Sequence, residues 1–312
     1  MMECLKETEV LKFHPDTLQA IRKLYGLDSP GAMNDAIDIL HEWVKKQDHF
    51  IKKDFDRDYL ERVIVRTKGS IERSKLRLDK ICTARTLMPA LFVNCNVKEL
   101  PLLDIVEDAL LPRLTQDYYR VYFLRNVGQE FDKEFHPNYF RRVLYFLEYM
   151  YKIDYVAGIV LVFDFRQMNH VAHLRSLPMV EVQQFLVMLI ECYGLRMKGI
   201  HMISTSKVVH TLAGIFKQFL TAKIESRIHI HDTLESLYEH VEKDILPKEY
   251  GGSEVSLSEL HQKLRDIASS EKHMEYMKMM NAAGTNEAFR RTDKYNEQVL
   301  GMPGSFRALR VD

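Results

Sequence analysis

The chain has 312 residues, and its 44 Lys+Arg balance its 44 Asp+Glu to a net charge of zero. That length can hold a sizeable core, as one large domain with helical additions. Neutrality argues against a nucleic-acid binder, which normally carries a basic excess, but leaves room for a local basic patch. No run of about 18 uncharged apolar residues occurs, so no membrane-crossing helix is expected. The charged opening MMECLKETEVLKFHPD lacks a signal-peptide core, and a soluble, cytoplasmic protein is expected.

In chain order, residues 15–25 read as a helix with Leu18, Ile21 and Leu24 on one face. Gly26 to Gly31 breaks it. Helices at 34–47, 58–66 and 70–83 follow, the last two divided at Gly69. Residues 89–112 read as a connector with a short helix. Strand and helix then alternate. Residues 118–125 alternate like a strand, 137–151 form a helix, and 155–165 is a nearly unbroken apolar run. A strand apolar on both faces belongs inside a parallel sheet covered by helices. Residues 178–193 form the next helix, with Pro178 suited to its first turn. A strand at 199–204, a helix at 207–223, a strand at 227–231 and a helix at 233–245 complete the pattern. Four strands alternating with helices predict an α/β sandwich with a mainly parallel sheet. Ser256 and Glu259 form a capping box that opens a helix to about residue 268. Residues 271–280 continue as helix, 281–298 read as polar and loosely held, and Phe306 and Leu309 are suited to tucking the tail back.

On the helix at 207–223, Val208, Val209, Leu212, Ile215, Phe216, Phe219 and Leu220 fall in one arc. Arg196, Lys198, Lys217, Lys223 and Arg227 flank it. Pattern alone allows two readings: an ordinary surface helix on a sheet, or a lid with an apolar face and basic ends that meet anionic lipid. Three further patterns suggest chemistry. Ser204 to Lys207 fits S-x-x-K, but the S-D-N and K-T-G partners of serine acylases are missing, so it reads as a strand-to-helix turn with a capping serine. His229 and His231 lie on one face of a strand, a metal-binding arrangement that has no third ligand at a recognisable spacing, so they read as structural. Asp164 ends the apolar strand, where catalytic groups of α/β enzymes often sit. Neither G-x-G-x-x-G nor a P-loop is present, and no catalytic residue, metal or cofactor is expected. Cys4, Cys82, Cys95 and Cys192 lie far apart with no CxxC and read as buried or free thiols.

The segments RMKGIHMI, FLTAKIESRIHIHD and ILPKEYGG, in that order and spacing, resemble the CRAL-TRIO family. Retinaldehyde-binding proteins, tocopherol transfer proteins and yeast phosphatidylinositol transfer proteins belong to it. The likeness covers residues 58–252 and is greatest to the tocopherol-transfer branch; the ending GSFRALRVD resembles insect members of that branch. The resemblance implies a helical module at 1–88, a lipid-binding domain at 89–255 and an extension at 256–312. It implies a pocket between sheet and lid, lined by Phe140, Leu144 and Leu147, Phe163, Phe185, Met188 and Leu189, and Ile200. Val209, Leu212, Phe216 and Phe219 would close it. The resemblance also implies a structural role for Asp164. Arg196, Lys198, Lys223 and Arg227 match basic positions that hold a phosphoinositide headgroup in the tocopherol relative; Lys217 lies beside them. The basic cluster after YLERVI is represented only by Arg66 and Lys68, with Thr67 in place of the second arginine. Serines that face the ligand's hydroxyl end in that relative correspond to Val143 and Leu147, so a tocopherol-like anchor is not expected there. The function implied is non-enzymatic transfer of a hydrophobic ligand (retinoid, tocopherol, carotenoid, sterol or similar lipid) between membranes, with phosphatidylinositol phosphates as membrane partners and no nucleic acid. The alternatives are a phosphoinositide-responsive adaptor with a vestigial pocket and a hydrolase using Ser204 and Lys207.

Overall fold

The computed structural model describes residues 5–100 and 105–291. Its framework is a five-stranded sheet in the order β1-β2-β3-β4-β5. The strands are β1 (Val106–Leu110), β2 (Tyr119–Asn126), β3 (Gly158–Asp164), β4 (Met197–Ile203) and β5 (Ile228–His231). β2 to β5 are parallel neighbours, and β1 adds antiparallel at the edge, with Val106 opposite Asn126. Parallel strands require crossovers. These are α5 (Phe135–Ile153), then α6 (His170–Ser176) with α7 (Met179–Val187), then α8 (Lys207–Lys217) with α9 (Ala222–Glu225). The opposite face is covered by the chain after β5. There Val121, Phe123, Val160, Val162 and Ile203 pack against Leu237, Ile245, Leu246 and Tyr250. Both faces are therefore dry, which is why β3 reads as one apolar run.

Ahead of the sheet stand α1 (Thr17–Leu24), α2 (Ala32–Lys45), α3 (Arg57–Arg66) and α4 (Ile71–Leu87). Ser70 caps α4 by accepting from the Arg73 amide at 3.4 Å. The turn between α3 and α4 takes two left-handed residues, Lys68 at φ 59° and Gly69 at φ 76°. Residues of α1 to α4 share one hydrophobic cluster with α5, α7 and the sheet. A buried ion pair adds to it: Arg85 meets Glu148 at 2.5 Å with both side chains sealed from water, and Tyr276 donates to the same carboxylate at 3.4 Å. That tyrosine comes from α12 (Glu271–Asn281), which follows α11 (Leu257–Ala268).

The structure departs from the sequence reading in several places. The connector holds β1, an extra strand. Its Asp108 would be an unfavourable buried charge, but Arg142 stands 3.3 Å away and His261 3.2 Å away. The expected helix at 207–223 stops at Lys217, where the chain turns through Gln218–Leu220 before the short α9. The expected helix at 233–245 is α10 (Leu234–Tyr238) followed by a separate turn at Lys243–Ile245. α7 gives way to a π-helical turn, Met188–Cys192, and α6 was not anticipated. Residues 284–290, expected to be loose, are fastened to the helical module. Ile51 donates to the Gly284 carbonyl at 3.1 Å, Asn286 to that of His49 at 2.7 Å, and Arg290 grips Asp79 at 2.7 Å. The tail with Phe306 and Leu309 and the GSFRALRVD ending lie outside the described residues, as does Cys4. Cys82 and Cys192 are buried free thiols, each pushed up to about 12 chiefly by burial.

Candidate ligand-binding site

Alternate residues of a strand face one side of a sheet. Tyr122, Leu124 and Asn126 of β2 and Ile159, Leu161 and Phe163 of β3 do so here, forming the floor of a cavity of 230 Å³. The β3–β4 register shifts between Ile159 and Val160, so Met197 and Ile200, three residues apart, both reach it, with Met202 beyond. β1 contributes Val106 and Leu110, β5 contributes Ile228. The cavity thus crosses all five strands, four steps of about 4.8 Å or on the order of 19 Å. α5 roofs it with a helical stripe that includes Tyr139, Phe140, Val143, Phe146 and Leu147. Phe140 stacks on Phe185 of α7 at 4.2 Å. Leu212, Phe216 and Leu220, from α8 and the turn after it, close the β4–β5 end.

Of the twelve residues expected to line a pocket, eight do: Phe140, Leu147, Phe163, Phe185, Leu189, Ile200, Leu212 and Phe216. Four are placed elsewhere. Leu144 lies beside the α5 stripe and is buried in the main core. Met188 is fully buried there too, where α7 opens into its π turn. Val209 packs against the sheet, in a cluster with Met197, Ile200, Met202 and Ala213. Phe219 leaves the helical arc because α8 ends two residues before it, and Leu220 takes the lining position. Outside the expected set are the β1 residues and five lining residues that carry polar groups, Tyr122, Asn126, His136, Tyr139 and His173. His136 was discoverable, since it continues the α5 stripe one turn before Phe140. α6, which carries His173, buries no residue fully and offers no apolar period.

A basic surface borders the end of the cavity where β4 and β5 begin. Lys68 is pushed below the ordinary lysine value first by Arg196, then by burial, Lys223, Arg73 and Lys198. Lys198 is pushed down first by burial, then by Arg196 and Arg227. Both lysines thus stand among like charges, which disfavour the charged form of each. Arg196 lies over the Tyr25 ring at 5.3 Å and Lys198 over Tyr119 at 4.6 Å. Arg227 also donates to the Met197 carbonyl. Lys217 instead faces Glu225 at 3.7 Å. A second cavity of 320 Å³ opens here, lined by Arg66, Lys68, Arg73, Arg77, Lys80 and Arg196 among others. Within it Arg66 is buried over the Tyr151 ring at 4.1 Å, and Lys80 is ion-paired to Glu191 at 2.7 Å.

Residues 109–252 match the CRAL/TRIO domain. The chain carries a CRAL/TRIO domain. The match begins inside β1 and ends at the paired glycines of LPKEYGG, so the helical module lies outside it. A mouse protein, alpha-tocopherol transfer protein-like, is 24% identical over 225 residues, 70% of this chain and 64% of its own length. The matched region therefore spans less than two thirds of that relative. Clavesin-1 of Xenopus laevis is 34% identical over 64 residues, 20% of this chain and 19% of its own. Among solved structures, that of Sfh5 aligns with a TM-score of 0.45 and 13% identity, covering 86% of this chain and 98% of Sfh5.

The closing segment of the CRAL/TRIO domain has a mechanical role. Tyr250 donates to Asp164 at 2.8 Å and packs on Phe123 at 4.4 Å, which locks LPKEYGG beneath the sheet. Gly251 is left-handed at φ 78°, and a Cβ on Gly252 would stand 1.9 Å from the Leu246 carbonyl oxygen. Ser204 is buried and lies 3.3 Å from His170, while Lys207 is exposed; the residue capping α8 is Ser206. His229 and His231 are joined by His201 of β4 and by His240, all on the face away from the cavity. His201 Nδ1 stands 2.9 Å from His231 Nε2, and the His229 and His240 rings are 4.4 Å apart. Among the described residues no group of three His, Cys, Asp or Glu is arranged to hold a metal ion, and no helix is long and apolar enough to cross a membrane.

Proposed function

We propose that this protein binds one lipophilic molecule in the cavity under α8, carries it between membranes without chemical change, and releases it at a phosphoinositide-containing surface. The observation that carries this reading is the pairing of an apolar cavity spanning the sheet with a cluster of mutually repelling cations at its β4–β5 end. A ligand burying about 400 Å² of apolar surface gains roughly 10 kcal/mol, and association consumes part of that, leaving a tight but releasable complex. An anionic headgroup relieves the repulsion around Lys68 and Lys198, in the place where α8 runs into α9. Retinoids, tocopherols, carotenoids and sterols all have the required apolar bulk. The test is organic extraction and mass spectrometry of the protein purified from its native tissue. One apolar compound at near-stoichiometric amount supports the carrier. An empty protein that also fails to take up retinoids, tocopherols, sterols or phospholipids, yet binds phosphoinositide vesicles, replaces it with a membrane adaptor.

A further inference from the structure

The cavity lining is almost wholly apolar, and no Asp, Glu, Lys or Arg is among its residues. Its polar groups sort by whether they are already occupied. Tyr122 donates to Asp108 at 2.5 Å, and the Tyr139 hydroxyl lies 3.2 Å from that of Tyr122. Asn126 accepts from the Gly128 amide at 2.8 Å. His136 Nε2 meets Ser176 Oγ at 3.1 Å. Among these side chains, His173 Nδ1 is the atom that is sealed from water with no hydrogen-bond partner. Its ring lies 5.3 Å from His136 and 5.0 Å from Phe131. An orphaned ring nitrogen in such a setting costs free energy until something bonds to it.

We propose that His173, seated against His136 at the end of the cavity bounded by α6, is the polar anchor for the cargo, and that the cargo is a neutral lipid alcohol whose hydroxyl bonds Nδ1. The proposal rests on the carrier reading. A hydroxyl both donates and accepts, so it satisfies Nδ1 in either tautomer, whereas a carbonyl satisfies only the protonated form. A carboxylate meets no cation in the lining. Burial lowers His136 to about 4 and His173 to about 3. His136 and His170 further depress His173, so the end of the cavity holds neutral imidazoles. A hydrocarbon leaves the nitrogen orphaned. Val143 and Leu147, midway along α5, line the cavity with apolar side chains and offer no hydrogen-bonding group there.

The test is retention by the full chain of matched hydrocarbon, alcohol and carboxylic acid from one skeleton, repeated for linear, isoprenoid and steroid skeletons at pH 7.4. In at least one series the alcohol should exceed the hydrocarbon by about tenfold and also exceed the acid. His173→Phe should erase the alcohol's advantage while hydrocarbon retention holds. His173→Asn, whose amide falls near the Nδ1 position, should restore it. In the wild-type protein the His173 Nδ1 nitrogen resonance should shift on loading with the alcohol and stay put with the hydrocarbon, a readout independent of how the variants fold. Retention of ligands with an unchanged alcohol preference in His173→Phe, with the acid bound tightest, or with an unmoved resonance overturns the anchor and leaves the carrier reading standing. Failure to retain any member of any series overturns both.

Discussion

Removing Lys68 and Lys223 together separates membrane docking from cargo holding. Both belong to the cation cluster, in which Lys223 helps push Lys68 below its ordinary value, and neither lines the apolar cavity. Arg227 is a poorer choice, because it also holds the carbonyl of the cavity residue Met197. Each cation near an anionic surface contributes about 1 kcal/mol. The Lys68→Ala, Lys223→Ala double variant should therefore lose about 2 kcal/mol, roughly thirty-fold in vesicle affinity. Arg196, Lys198 and Arg227 remain, so binding weakens rather than vanishes. The assay is co-sedimentation with vesicles with and without phosphoinositide, run beside transfer of a fluorescent lipid from loaded protein to the same vesicles. Raising salt from 0.15 to 1 M shortens the screening length from about 8 to about 3 Å, and should cost the wild-type protein more affinity than the variant. Transfer should slow in proportion to docking while retention in the absence of vesicles is unchanged. Equal loss of retention and transfer would refute the division between basic surface and cavity; unchanged sedimentation would refute the surface itself.

Acid should destabilise the fold through its buried imidazoles. Burial holds His201 at about 3 and His136 at about 4, below their unfolded value. Their contribution is therefore complete above pH about 6.5 and shrinks as pH falls toward the folded values, by up to about 1.4 kcal/mol per unit for each. The urea midpoint should drop between pH 7 and 5, and less so in His201→Gln; parallel pH profiles would discount the imidazole. Gly252→Ala should cost roughly 3 kcal/mol by urea titration, because its Cβ would stand 1.9 Å from the Leu246 carbonyl oxygen and 2.6 Å from that of Lys243, both backbone atoms. Gly214→Ala, in α8 with nothing within 4 Å of the new Cβ, should instead stabilise that helix by about 1 kcal/mol. Ligand exit should then slow, and an unchanged off-rate would mean that α8 does not unwind for release.

What was legible in the chain was local. The apolar run of β3, the stripe of α5 and the Ser256 cap each declare themselves within a few residues. What escaped depended on partners far away. Val106-Glu107-Asp108-Ala109-Leu110 has two acids in five residues and resembles a loop; it is a strand because Arg142 and His261 meet Asp108 from remote helices. α8 was extended too far because Phe219 and Leu220 keep helical spacing, although the chain has already turned. The histidine pair of β5 was visible, but its companions His201 and His240 come from other elements. In the cavity, Phe140 and Leu147 of α5 and Phe163 and Ile200 of the sheet were foreseen, whereas Tyr139 and Phe146 of α5 and the residues on β1 and α6 were not.

Glu148 has a consequence for how the molecule is made. Arg85 and Tyr276, which converge on its carboxylate, are separated from it by 63 and 128 residues. The first helices wait longer still, since Thr86 receives the Thr285 amide across 199 residues. Ribosomes add about 5–20 residues per second, so on the order of 10–40 s separates the synthesis of these two strips of chain. For roughly the first 3–13 s of that interval, until Glu148 is made 63 residues on, the nascent α4 carries an arginine without its counter-charge. Completion of the amino-terminal helices is thus a late event, and a chaperone that shields α4 during translation would act on a surface absent from the finished protein.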